Sequence, residues 1–332
     1  MNILVTGGLG YIGSHLVIEL LKFNYNVYVI DNLSNSKKKV KKKIEKITNK
    51  KFLFFKFNLL NKNKINFFFQ RNKIDVVIHM AGFKSVLESE KNPILYYENN
   101  IVSSVNLFRA MELNKVKKII FSSSATVYGV QKKFPISENS FTGPTNSYGV
   151  SKRIIEEMII DLAKKNVFDY IILRYFNPVG CHESGILGED PNDKAQNLFP
   201  YIMAVLQGKY KHLKIYGKNY QTIDGTGARD YIHISDLCSA HLSSLKNLIK
   251  KKILNEIFNV GTGKPYSVLQ VVKEFEKVIG KNLSYKFCPR RPGDLDKVYT
   301  ETKKIKKKLN WKASHNLRDM CSSCYLYVRN LL

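Results

Sequence analysis

Between an apolar run, Asn2–Thr6, and an amphipathic stretch, Ile12–Phe23, the chain places Gly7, Gly8, Gly10 and Gly13. Gly7, Gly10 and Gly13 keep the order G-x-x-G-x-x-G. Glycines there permit a tight strand-to-helix turn and let backbone N–H groups approach a pyrophosphate, which the positive end of the helix then faces. A second apolar run, Asn26–Asp31, ends in an acid 18 residues after Gly13. A carboxylate there accepts hydrogen bonds from the adenosine ribose and repels a 2′-phosphate, and Asn32, not arginine, follows it. The pattern predicts NAD rather than NADP. A glycine turn needed only for packing would leave Asp31 unexplained.

The 332 residues suggest about two domains. Short apolar runs at Phe52–Phe57, Asp75–His79, Lys118–Ser123 and Tyr170–Arg174 alternate with the helix-length stretches Ile94–Leu113 and Ser147–Lys165. Such alternation predicts βαβ units and a parallel sheet covered on both faces. After Asn177 the texture changes, with a Gly/Asp/Glu-rich loop at His182–Asn192. Helices are expected at Leu198–Gln207, Ser235–Leu248, Val268–Ile279 and Leu317–Leu331. Strands are expected at His212–Tyr216, Asp230–Ile232, Ile257–Val260 and Leu283–Phe287. The expected division is a dinucleotide-binding domain over 1–177, rejoined by 231–260, and a smaller lobe from 178–230 and 261–332.

A net charge of +27 raises the question of nucleic acid. Of the 54 basic residues 45 are lysine and nine arginine, whereas sequence-reading proteins lean on arginine's planar fork. The lysine runs Lys37–Lys43, Lys250–Lys252 and Lys303–Lys308 read as solvated faces, so no specific nucleic-acid partner is expected. No run approaches the roughly 18–20 apolar residues of a membrane span. The start reads as a buried strand, not a signal peptide, which points to a cytoplasmic protein. Five cysteines, Cys181, Cys238, Cys288, Cys321 and Cys324, are therefore expected as reduced thiols, Cys321-x-x-Cys324 among them. The seven histidines show no metal-ligand spacing, so no metal is expected, and His79 reads as packing. Phe67–Phe69 reads as the buried face of a short helix.

Tyr148 and Lys152, spaced i, i+4, share one helix face. A phenol with a pKa near 10 is a poor base at neutral pH, but an adjacent ammonium and an oxidised nicotinamide would lower it. Ser124 ends the run Phe121-Ser122-Ser123-Ser124 at a strand terminus, where α/β sheets place their ligands, and could bond both Tyr148 and a substrate hydroxyl.

These residues resemble the extended short-chain dehydrogenase/reductase superfamily and, within it, the UDP-glucose 4-epimerase family. The resemblance is collinear from Met1 to about Trp311: TGGLGYIGSH (6–15), DNLSNS (31–36), AGFKSV (81–86), FSSSATVYG (121–129), YGVSK (148–152), RYFNPVG (174–180), GEDP (188–191), DGTGARDYIH (224–233), FNVGTG (258–263), PRRPGD (289–294) and LNW (309–311). Sister 4,6-dehydratases carry an Asp-Glu pair after the active-site Ser or Thr. Here Ala125 and Thr126 follow Ser124.

The resemblance implies a Rossmann-type doubly wound α/β fold with a smaller mixed α/β substrate lobe. It implies inversion at C4 between UDP-galactose and UDP-glucose through a transient 4-keto sugar, with NAD as cofactor, a UDP-hexose as substrate and a homodimer as the assembly. The dimer would form through the helices containing Ile94–Leu113 and Ser147–Lys165. Tyr148, Lys152 and Ser124 would be catalytic. NAD would be held by Gly7, Gly10, Tyr11, Ile12, Gly13, Asp31, Asn32, Asn35, Ser36, Asn58, Leu59, Met80, Ala81, Gly82, Lys84, Asn99, Ser122, Tyr148, Lys152 and Tyr175. The nucleotide sugar would meet Lys84, Ser124, Tyr148, Phe176, Asn177, Asn197, Leu198, Tyr216, Arg229, Arg291 and Asp294. Guanidinium groups at 229 and 291 suit a diphosphate.

Three positions depart from the family pattern. Asn58 stands for an Asp near adenine, Gln196 for an Asn, and Val298 occupies a place that is either bulky and aromatic or small. A small residue there would admit UDP-N-acetylhexosamines. Rival readings are an epimerase of UDP-xylose/UDP-arabinose or UDP-glucuronate, and an inactive NAD- or nucleotide-sugar-binding regulator. Intact Ser124, Tyr148 and Lys152 speak against the regulator.

Overall fold

The computed structural model describes residues 1–190, 197–291 and 293–332. The first part of the chain alternates strictly: β1 (Asn2–Thr6), α1 (Tyr11–Lys22), β2 (Asn26–Asp31), α2 (Lys39–Thr48), β3 (Leu53–Lys56), α3 (Lys62–Arg71) and β4 (Val76–His79). Then follow α4 (Val86–Lys91), α5 (Pro93–Tyr96), a π-helical turn over Tyr97–Val102, α6 (Ser103–Leu113), β5 (Lys118–Ser124), α7 (Ser147–Lys164) and β6 (Asp169–Tyr175). Past β7 (Asn177–Val179) come α8 (Leu198–Leu206), β8 (Leu213–Tyr216), β9 (Ala228–His233), α9 (Ile234–Ile249) and β10 (Glu256–Val260). The last elements are β11 (Pro265–Ser267), α10 (Val268–Ile279), β12 (Tyr285–Cys288), β13 (Lys297–Val298), α11 (Lys303–Leu309) and α12 (Leu317–Arg329).

Seven strands pair in parallel in the order β10-β6-β5-β4-β1-β2-β3. The central strand β4 is buried along its whole length, as a strand covered on both faces must be, while β3 at the edge is half open. β1 pairs with both β2 and β4, so the winding reverses there and leaves a crevice at the strands' C-terminal ends. Leu16, Leu20, Ile44, Leu237, Leu245, Ile305 and Leu309 cover one face of the sheet from α1, α2, α9 and α11. Ile65, Phe68, Leu107, Met111, Ile155 and Ile159 cover the other from α3, α6 and α7.

The smaller lobe is mixed. β9 pairs with β7 and β13 in parallel and with β11 antiparallel, and β8 pairs with β12. Its own core is built by α8, α10 and α12 around Phe199, Phe275 and Met320. The chain is thus a Rossmann-type doubly wound sheet with a mixed α/β lobe. β9 belongs to the small sheet up to His233, α9 and β10 rejoin the large one, and α11 packs on the large sheet as well.

Several elements differ from the sequence expectation. The lysine runs at 37–43 and 303–308 lie largely on two helices that the sequence pattern does not announce, α2 and α11, which present lysines to solvent and turn Ile44, Ile305 and Leu309 inward. The expected helix Ile94–Leu113 is interrupted by the π-helical turn, which rotates Asn100 into the interior. Phe68 and Phe69 are buried, but Phe67 is exposed and lies under the Arg71 guanidinium, 4.4 Å from its ring centre. Gln196 and the end of the loop expected at 182–192 lie outside the described residues. All five cysteines are free thiols, and Cys181 and Cys324 meet at 3.9 Å in the lobe core. Among the described residues no helix is long and apolar enough to cross a membrane, and no cluster of three or more His, Cys, Asp or Glu could hold a metal ion.

Candidate active site

The glycine loop turns at Gly7, whose φ is +68°. A Cβ on Gly13 would sit 2.3 Å from the Gly7 carbonyl oxygen, so the loop closes only without one. Gly10 caps α1 with no side-chain bond, and no acid stands in the first turn, which leaves the helix's first N–H groups unneutralised. Asp31 fastens the loop to β2. Its Oδ2 accepts from Leu9 N at 3.0 Å, and its Oδ1 accepts from Leu33 N at 2.8 Å and Ser36 Oγ at 2.9 Å. Oδ2 therefore retains acceptor capacity. Such a cradle fits a dinucleotide.

Around it, Thr6 Oγ1 accepts from Met80 N and Ala81 N and bonds His79 Nδ1 at 2.7 Å. The other nitrogen of His79 meets Ser104 Oγ at 2.9 Å, so the ring is the support that its strand-end position suggests. Asn100 Oδ1 accepts from Phe83 N, its Nδ2 donates to Ser151 Oγ, and Asn99 Nδ2 donates to Asn100 Oδ1. These bonds tie the loop segment following Gly82 to α7. Asn58 Oδ1 accepts from Leu60 N, and Leu59 O accepts from Asn106 Nδ2. Asn32 Oδ1 likewise closes a turn on Ser34 N, while Asn35 lies exposed in the same loop. Tyr11 donates to Gly180 O at 2.7 Å, and Lys84 pairs with Glu189 at 2.6 Å. Both side chains thereby hold the 180–190 segment against the loop.

The three serines of β5 divide the work by strand alternation. Ser122 Oγ bonds His241 Nε2 at 2.9 Å, and its carbonyl accepts from Lys152 Nζ at 2.9 Å. Ser123 points the other way and donates to Glu156. Ser124 caps the following turn, and its hydroxyl lies near enough to the Tyr148 phenol to favour the ionised form. Lys152 is 4% exposed, under the Phe121 ring. Burial pulls its ammonium down to about 8, and Glu156 acts in the opposite direction. Burial pushes the Tyr148 phenol up, against a lowering by Ser124. The lowered phenol anticipated from Y-x-x-x-K is thus not a property of the protein groups alone, because dehydration of Tyr148 outweighs them. Tyr175 closes the same pocket, its phenol raised by burial and by Tyr148.

Several of the lobe residues gather at the start of β9, the end of β8 and the loop before β13. Asn177 donates to Asp230 O at 3.1 Å, and Phe176 packs with Tyr128, Ile136 and Val298. Asn197 and Leu198 open α8. Arg229 reaches Asp294 at 3.4 Å and the carbonyls of Ala228 and Leu295. Arg291 lies over the Tyr216 ring at 4.0 Å. The structure therefore brings Tyr216, Arg229, Arg291 and Asp294 into one cluster.

Sequence reasoning passed over two buried ionic centres. Arg174 on β6 meets both oxygens of Glu156 at 2.6–3.1 Å, donates to Tyr128 OH at 3.1 Å, and is 6% exposed. Tyr128 OH donates to Asn259, whose amide reaches Ile136 O at 3.0 Å. Asp230, fully buried, accepts from Thr262 N and Oγ1, Gly263 N and Thr300 N, and thereby shapes the loop after β10. A signal for Glu156 was present: it follows Tyr148 and Lys152 at i+8 and i+4 on one helix face.

A glycine cradle with an acid ending β2, beside Ser124, Tyr148 and Lys152 at the C-terminal end of the sheet, defines an extended short-chain dehydrogenase/reductase. Comparison with known proteins agrees. Residues 4–324 match the family model described as GDP-mannose 4,6 dehydratase. UDP-glucose 4-epimerase of Bacillus subtilis (strain 168) is 46% identical over 98% of this chain and 96% of its own. That of Yersinia enterocolitica is 46% identical over 99% and 98%. The structure of UDP-glucose 4-epimerase from Stenotrophomonas maltophila, with NAD and formylated UDP-arabinopyranose bound, superimposes with a TM-score of 0.96 at 39% identity, covering 100% of this chain and 98% of that one. The enzyme from Bifidobacterium longum in complex with NAD+ and UDP gives 0.94 at 43% identity, over 99% and 98%. The chain belongs to the GDP-mannose 4,6 dehydratase family and, within it, to the UDP-glucose 4-epimerases.

The buried ion pair makes a measurable demand. Arg174→Met should cost about 3–5 kcal/mol in urea unfolding, because Glu156 is left buried and unpaired. The double variant Arg174→Met, Glu156→Leu should recover most of that loss. Equal unfolding midpoints for the single variant and the parent protein would show that the pair is not a structural requirement.

Proposed function

We infer that this chain is an NAD-dependent epimerase that interconverts UDP-galactose and UDP-glucose by inversion at C4. The observation that carries this reading is the assembly of Ser124, Tyr148 and Lys152 beside the glycine cradle, with Ala125 and Thr126 where a dehydratase would need acids. Gly7, Gly10, Gly13, Asp31 and the N-terminus of α1 would hold NAD, which supplies the hydride acceptor and a positive charge beside Tyr148. Tyr148 takes the proton from the sugar 4-hydroxyl and later returns it. Lys152, fixed by Ser122 O, keeps a positive charge near the phenol and stabilises its ionised form. Ser124 orients the phenol and the 4-hydroxyl. The 4-keto sugar must turn over before reduction, so the nucleotide end has to hold on through that rotation. Arg229 and Arg291 suit the diphosphate, Asp294 the uridine ribose, and Tyr216 the uracil. Their present partners, Asp294 for Arg229 and the Tyr216 ring for Arg291, hold the guanidinium groups ready in one cluster.

Asn58 uses its carbonyl to close its own turn, which leaves its amide for adenine. We expect product from UDP-galactose without added NAD if cofactor is retained, and dependence on added NAD if Asn58 weakens its hold. No product with NAD bound to folded protein would reject the epimerase. Tyr148→Phe should lower turnover at least about a hundredfold while NAD binding, followed by fluorescence, persists.

Val298 is half-buried among Phe176, Tyr128 and Phe134, and its short side chain favours a second substrate class, the UDP-N-acetylhexosamines. Purified protein should then convert UDP-N-acetylgalactosamine, and Val298→Tyr should remove that activity while sparing UDP-galactose. Conversion of UDP-galactose alone, with the tyrosine variant indistinguishable, would sink this extension.

Two copies are proposed to pair through α5, α6 and α7. Ile94, Leu95, Val102, Val105 and Leu113 lie exposed along this side, a run of apolar side chains that a partner copy would cover. Light scattering should give twice the chain mass, and Val105→Glu should reduce it to one. A cytoplasmic location is part of the same proposal.

A further inference from the structure

The lysine excess is not spread evenly over the fold. α2, α1, α9 and α11 form one outer layer, since their apolar faces share one core on the same side of the large sheet. Side-chain contacts stitch their ends together. Lys50 Nζ donates to Leu21 O at 2.7 Å, Lys246 lies 4.1 Å from the Phe23 ring centre, and Ser243 Oγ donates to Leu309 O at 3.2 Å. The stretches 11–25, 37–51, 234–252 and 303–312 that make up this layer hold 20 lysines, no arginine and three acids. On the opposite layer, 62–73, 86–113 and 147–165 hold ten basic and seven acidic residues.

The three acids of the basic layer are already engaged. Glu19 pairs with Lys22, Glu45 with Lys41, and Asp236 is buried and bound to Ser314 and His315. Ten exposed lysines, 38, 42, 46, 51, 250, 251, 252, 306, 307 and 312, have no ion-pair partner among the described residues. Side-by-side helices at their usual spacing spread this charge over roughly 30 Å.

We propose that this four-helix layer is a docking face for an anionic lipid bilayer surface. Charge complementarity sets the sign of the partner. Its chemistry follows from what the face lacks. Without arginine it has no planar fork for base edges. It carries one exposed aromatic, Phe23, beside Lys246 at the layer's end, and a single ring is not the row of aromatics on which successive bases stack. Compact ammonium charges spread over a broad layer match a plane of headgroups rather than a groove. Attachment would be peripheral and would fall with salt. The glycine loop and Lys38 lie at one end of the layer, whereas Phe23, Lys50 and Lys246 meet at the other, the C-terminus of α1, so contact through that second end would leave the active site open.

The test is co-sedimentation of the full-length protein with vesicles of phosphatidylcholine, with or without phosphatidylserine, across a sodium chloride series. The protein should sediment only with the phosphatidylserine vesicles and be released by salt. Lys42→Glu, Lys252→Glu and Lys307→Glu together should weaken binding at least about tenfold. The control set Lys64→Glu, Lys73→Glu and Lys117→Glu, with the same change in net charge on the other side, should leave it within about twofold of the parent. UDP-galactose turnover in both sets reports that they fold. Three results would overturn the proposal: equal binding to neutral vesicles, equal loss in both sets, or tighter binding to duplex DNA than to vesicles at matched phosphate. The last would assign the face to nucleic acid.

Discussion

Glu156 is 2% exposed, in the middle of α7 and behind Tyr148 and Lys152. A charge that far from water has to be paired and fully hydrogen-bonded. Arg174 from β6 and Ser123 from β5 do this together, so two strands and the helix that crosses them form one unit. Lys152 lies one helical turn before Glu156, and Tyr148 one turn before that. Their height above the sheet follows from where the pair sits. The same guanidinium continues through Tyr128 to Asn259 and Ile136, and Ile136 N donates to Tyr299 O in the segment that follows β13. The wall around Val298 is thus referenced to the same buried charge as α7.

What could be read from the sequence was what depends on neighbours in the chain. The glycine turn, the acid ending β2 and the i, i+4 pair on α7 are local geometry, and they appear where spacing places them. The sheet order also follows, because alternating strands and helices leave few ways to wind. What could not be read depends on distant partners. Nothing near Asp230 announces that four donors from 262–300 will surround it. Arg174 is one arginine in an apolar strand until β5 and α7 are laid against it. The π-helical turn arises because Asn100 is drawn inward by Phe83 and Ser151, which no helical period reveals. Lysine hid two helices for a different reason: α2 and α11 bury so few residues that their amphipathic pattern is submerged in charge.

The phenol shows why residue identity and residue state need separate treatment. The motif proposes Tyr148 as the base, yet burial alone raises its phenol and moves it away from that role. The ammonium and the serine are in place, and although burial pulls the Lys152 ammonium down to about 8 it still carries its proton at neutral pH. The protein supplies a dry, aligned site whose electrostatics are completed by what binds there. Dehydration that disfavours the ionised phenol in the protein alone also makes a neighbouring positive charge more effective once present.

The backbone passes between the two sheets repeatedly: after β6, after β9, after β10, between β13 and α11, and again before α12. The lobes are therefore laced together by several short strands of chain rather than joined by one linker. Recombining the lobes of two relatives would require matched splices at every crossing, so new sugar preferences in this architecture are more readily reached by changing single side chains in the pocket wall than by exchanging the lobe as a module.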